Sequence, residues 1–156
     1  MSRVLNILWW LAFVACAVVT QALVPGLDAL VAGVVLLLQE RDYKNALWLL
    51  PLFILLQEGM GTRPFSAALL WYASVLLFFR LERWLLEVRS FAFVLLLSLF
   101  LGGGCLAVDW LMAPLQNLAF DLDESVNKSL IQAAFLPCAW FVLTHIRPGS
   151  PHVLEN

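Results

Sequence analysis

The sequence predicts an all-α, polytopic membrane protein: six short transmembrane helices with both termini on the cytoplasmic side. Three observations predict it. First, 63% of the 156 residues are hydrophobic and only 13% are charged, with a mean hydropathy of +0.91, far above a soluble domain. Second, the apolar residues form long blocks, and the charges are gathered into short stretches between them. Third, laying those blocks across a bilayer puts seven of the nine Lys and Arg on one side. Continuous apolar runs without two-residue alternation argue against a barrel.

The first helix is expected over 4–24, with Trp9 and Trp10 near the membrane–water boundary. Its start could pass for a secretory signal, but Thr20-Gln21-Ala22 is a poor cleavage site and the run is long for a signal core. Pro25-Gly26 turns the chain, and Asp28 heads a second helix within 25–39. Glu40 to Asn45 reads as a polar loop. The third span is placed at 46–61, although its apolar part, Ala46 to Gln57, covers only about 18 Å. Glu58 to Pro64 makes a turn before the fourth span at 64–79. Runs three and four form either a spanning hairpin or a re-entrant loop, and the charge count favours the hairpin.

Arg80 to Ser90 reads as an amphipathic piece at the cytoplasmic interface or an extension of helix four. Leu81, Trp84, Leu85 and Val88 form its apolar stripe, with Arg80, Arg83, Glu87 and Arg89 away from it. The fifth span covers 91–112. The sixth covers 129–146, opening on a Ser129-to-Gln132 capping box and bent at Pro137. Residues 148–156 form a cytoplasmic tail behind a single membrane domain, 1–147. With the N-terminus inside, Arg3, Arg41, Lys44, Arg80, Arg83, Arg89 and Arg147 face the cytoplasm, against Arg63 and Lys128 outside. A re-entrant third-to-fourth segment would spoil that asymmetry.

Tight loops leave no length for a soluble catalytic or nucleic-acid-binding domain, and no Ser-His-Asp, Cys-His, phosphate-loop or paired-carboxylate pattern occurs. The expectation is therefore a non-enzyme without cofactor or metal. Cys16, Cys105 and Cys138 lie inside apolar runs and read as packing residues. Asp121 to Asn127 lacks the Gly and the Glu of a calcium loop, and Asp121 with Glu124 reads as capping a short surface turn. Polar residues at membrane depth are costly, which makes Gln57, Glu58 and Asp109 candidates. A plainer reading pairs Glu58 with Arg63 across the turn and leaves Asp109 near the outer boundary. Ser98 with Gly102, Gly103 and Gly104 offers a small-residue face for close helix packing, within the protein, against a partner, or in a homo-oligomer. Because the polar candidates are few and split between the two sides, a scaffold or adaptor is expected before a solute carrier.

The layout resembles the rod shape-determining protein MreD family. The resemblance is carried by Leu55-Leu56-Gln57-Glu58-Gly59-Met60-Gly61-Thr62-Arg63-Pro64-Phe65-Ser66, an acid, a small-residue turn and Pro64 six residues after Glu58. The basic segment Arg80 to Arg89 and the pair Val108-Asp109 extend it. Glu58 stands where Asp is usual, Ser66 where Gly is usual, and the third run lacks glycines. The resemblance implies a non-enzymatic subunit of the bacterial inner membrane that assembles with an MreC-like partner and the peptidoglycan elongation machinery. It also implies kinship with the substrate-binding subunits of vitamin transporters, hence an alternative reading as a small-solute binding or transport subunit.

Overall fold

A computed structural model describes residues 3–41, 43–60, 65–85, 87, 90–115 and 121–146. Among them are six α-helices and no strand: α1 (Arg3–Leu23), α2 (Leu30–Glu40), α3 (Tyr43–Gly59), α4 (Phe65–Leu85), α5 (Phe91–Leu115) and α6 (Leu122–Ile146). By length and composition, α1, α5 and α6 can each cross a membrane.

Helix α2 is the axis of the fold. Leu30 to Leu37 are all buried, because the segment has no polar face to offer the outside. At 11 residues it spans about 16 Å, and α1, α3, α4 and α6 pack around it. Helix α5 lies against α4 and α6. Gly33 lets α1 approach, since a Cβ there would meet Cε1 of Phe13 at 2.5 Å. Phe13 then reaches Phe53 of α3, with ring centroids 6.4 Å apart. Arg41 ends α2 in the left-handed conformation, its N–H turned back to the carbonyls of Leu37 and Leu38.

Several boundaries differ from the sequence expectation, each for a local reason. The expected polar loop after α2 shrinks, because Tyr43, Lys44 and Asn45 already belong to α3. That gives α3 17 residues, about 25 Å, in place of a short run. Helix α6 starts two turns before Ser129. Asp121 is its cap, with Oδ1 accepting from the N–H groups of Asp123 and Glu124 at 3.0 and 3.2 Å. The expected Ser129–Gln132 box does not form: the Ser129 hydroxyl donates to the Ser125 carbonyl, and Gln132 bonds elsewhere. Pro137 sits inside α6, which continues to Ile146.

Helix α4 runs on through Leu85, as one form of the amphipathic expectation requires, and its charged and apolar residues divide between the inside and the outside. Leu81, Trp84 and Leu85 are 55%, 87% and 63% exposed, whereas Glu82 is 1% exposed. The apolar stripe therefore faces outward, as a lipid-contacting stripe does. Val88 lies outside the described residues.

Candidate functional site

A dense polar constellation gathers around Asp28, at the head of α2. Its Oδ1 accepts from the Leu30 N–H at 3.1 Å, capping α2. The Gln21 amide donates to the same oxygen at 3.0 Å, and the Tyr72 hydroxyl stands 3.4 Å away. The Trp71 indole N–H donates to Oδ2 at 2.8 Å. Gln132 clamps the Asp28 backbone at two points: its Oε1 accepts from the Asp28 N–H at 2.8 Å and its Nε2 donates to the Asp28 carbonyl at 3.1 Å. Residues from α1, α4 and α6 thus converge on one turn, all of them buried. The Gln21 Oε1 is the atom of this cluster left buried without a hydrogen bond.

Local structure places each member. The turn before Asp28 needs Gly26, at φ +85°, and the stem of Lys128 lies over it: a Cβ on Gly26 would meet Lys128 Cγ at 2.6 Å. Trp71 and Tyr72 sit on the inward face of α4 together with Ala68 and Val75. Buried Trp and Tyr need partners for their polar tips, and Asp28 supplies acceptors. Gln132 lies ten residues into α6, about 15 Å from its start.

At the other end of the bundle stands a second buried carboxyl, Glu82, near the end of α4. Neither oxygen has a hydrogen-bond partner among the described residues. Glu82 lies past Arg80, beyond the apolar part of its helix, and burial pushes its carboxyl up from 4.5 to about 7. Nearby, the Trp140 indole donates to Gln39 Oε1 at 2.6 Å, tying α6 to the last turn of α2.

The residues singled out from sequence are dispersed. Gln57 is buried near the end of α3, Glu58 beside it is exposed, and Asp109 is half-buried on α5. Arg63, the expected partner of Glu58, lies outside the described residues. The small residues of α5 divide by face. Ser98 is buried and donates to the Leu95 carbonyl at 2.7 Å. Gly102 lies under Ser129 and Ala133 of α6, and Gly104 under Phe78 of α4. Gly103 points outward, with nothing within 4 Å of where its Cβ would be. Cys16 and Cys138 are exposed and Cys105 buried. No metal-holding group of His, Cys, Asp or Glu occurs among the described residues.

From the sequence, Asp28 reads only as a helix-head residue and Gln132 only as part of a capping box, while Gln21, Trp71, Tyr72 and Glu82 carry no site expectation. The signal was available: Gln21 and Gln132 interrupt apolar runs, and Trp71-Tyr72 sits in mid-helix, away from the boundary where such residues are usually explained. No family model matches the chain, and no curated protein or solved structure matches it either.

Proposed function

We propose that the chain is a non-enzymatic adaptor subunit of a bacterial inner membrane, MreD-like, which joins an MreC-like partner to the peptidoglycan elongation machinery. Six crossings with both ends in the cytoplasm fit the seven-to-two division of basic residues. The observation that carries the reading is the outward notch on α5. Gly103 opens to the outside, and Ala107, one turn on, is exposed as well. Leu99, one turn before, is 63% exposed. Close approach of a partner helix needs such a pair of small residues on a lipid-facing surface.

The test is co-expression with the MreC-like protein of the same bacterium, followed by capture in mild detergent. The expected result is stoichiometric co-elution that Gly103→Leu abolishes. That variant should leave melting of the isolated subunit unchanged, because its side chain enters open space. Undiminished co-elution of Gly103→Leu would remove the notch from the account, and no co-elution of the wild type would remove the adaptor reading.

The alternative, a small-solute binding subunit, draws on a different observation: the Asp28 cluster and its unpartnered Gln21 Oε1. A carrier gathers polar and aromatic side chains at depth, and this cluster does so. Its donors, however, are already spent on Asp28. Tight retention of a small metabolite by the purified protein, lost on Gln21→Ala with the fold intact, would favour the carrier.

A further inference from the structure

The outer face of α4 carries a groove of about 530 Å³ at the end of the bundle that holds the C-terminus of α2. That volume lies within the roughly 300–1,000 Å³ range of small-molecule sites. Its wall is Leu38 of α2 with Leu76 and Phe79 of α4, and its mouth is Arg80, Arg83 and Trp84. Leu76, Arg80 and Arg83 follow at helical spacing on one face, so the apolar part lies about one turn deeper than the cations. Both arginines are exposed, and neither has an ion pair or hydrogen bond among the described residues. Glu82, in the same turn, lies on the buried face and does not line the groove. The charged lining is therefore wholly basic. Trp84, 87% exposed, stands beside the arginines, where an indole suits the headgroup layer.

From this arrangement we infer that the groove binds one anionic phospholipid, its phosphate on Arg80 and Arg83 and its acyl chain along Leu76, Phe79 and Leu38. A soluble anion would leave the apolar wall wet, and a zwitterionic lipid, with no net charge, would offset none of the positive charge of the arginine pair. The inference does not depend on the adaptor reading or on which side of the membrane the groove faces.

Trp84 provides the readout. The full-length protein is placed in nanodiscs in which brominated phosphatidylglycerol replaces phosphatidylcholine stepwise, and the reverse titration uses brominated phosphatidylcholine in phosphatidylglycerol. The Trp84 signal is the difference between wild type and Trp84→Phe. Half-maximal quenching should need roughly fivefold less of the anionic lipid than of the zwitterionic one. The preference should vanish in Arg80→Gln/Arg83→Gln, whose melting should match wild type because neither side chain is hydrogen-bonded within the described fold. Arg41→Gln, a basic residue at the same end that does not line the groove, should keep the preference. Equal quenching by the two lipids would overturn the site. So would loss of preference in Arg41→Gln, which would make it a general charge effect. Full displacement by millimolar inorganic phosphate would overturn the lipid assignment in favour of a soluble anion.

Discussion

Among the described residues two carboxyl groups are buried, Asp28 and Glu82, and they are treated in opposite ways. Asp28 accepts hydrogen bonds from an indole, an amide and a backbone N–H, with a phenol hydroxyl close by. Glu82 accepts none among the described residues. Burial alone therefore does not tell what an acid is for. Where donors converge, the acid holds elements together: the Asp28 turn fastens α1, α4 and α6 to the start of α2, whose residues Leu30 to Leu37 are all buried. Where donors are missing, the acid is a standing cost to the fold.

The sharpest way to break this contrast is to remove Asp28. Asp28→Ala strands the Trp71 indole, the Gln21 amide and the Leu30 N–H in the interior. The expected loss is about 3–5 kcal/mol, since each stranded donor costs roughly 1–3 kcal/mol. Asp28→Asn keeps one acceptor oxygen and should fall between. Denaturant melts in detergent measure both. A loss below about 1 kcal/mol for Asp28→Ala would mean that apolar packing of α2 is sufficient and the network incidental.

Glu82 should respond with the opposite sign. Its carboxyl is raised from 4.5 to about 7 in the folded state, so between those values the folded protein holds a proton that the unfolded chain has lost. Stability should then fall as pH rises from about 4.5 through 7 and level off above, by less than the roughly 3.4 kcal/mol that such a shift represents without solvent screening. Glu82→Gln should flatten that slope, leaving the variant more stable than wild type at pH 8 and equal to it near pH 4. Parallel melting curves for the two proteins across pH would show that Glu82 has a compensating partner after all.

What the sequence made legible follows the same division. Helix number and class could be read because apolar blocks and turn residues are local signals. The Asp28 node could not, because it is made by residues 104 positions apart, Asp28 and Gln132, and periodicity carries no information about which helices meet. For a related reason the sequence shows the α4 stripe but not whether it faces lipid or a neighbouring helix. In a bilayer an exposed stripe can be apolar, so Leu81, Trp84 and Leu85 mark the outside and the charged Glu82 the inside. The α5 glycines were read as one face, whereas only packing separates Gly102 and Gly104, under neighbouring helices, from the outward Gly103.

A smaller effect tests how the Asp28 turn is held. Gly26 needs a positive φ and has Lys128 against it. Gly26→Ala should cost about 1–2 kcal/mol, from backbone strain and displacement of the lysine stem. Combined with Asp28→Ala it should cost less than the sum, because a turn already loosened has less to lose. Strict additivity would show that Gly26 shapes the turn without positioning Asp28. The double-mutant cycle distinguishes the two.

The smallest expected effect supplies the control for both carboxyls. Glu124 pairs with Lys128 at 2.7 Å, one turn apart on α6, with the glutamate side chain 63% exposed. An ion pair this accessible contributes under about 1 kcal/mol and is screened by salt. Glu124→Gln removes one negative charge, as Glu82→Gln does, but takes nothing out of the interior. Its melting temperature should stay near wild type at every pH above 5 and move even less in high salt. If Glu124→Gln instead reproduced the gain of Glu82→Gln at pH 8, the benefit would come from lowering net negative charge. Burial without donors would then not be the cause at Glu82, and the contrast with Asp28 would rest on Asp28 alone.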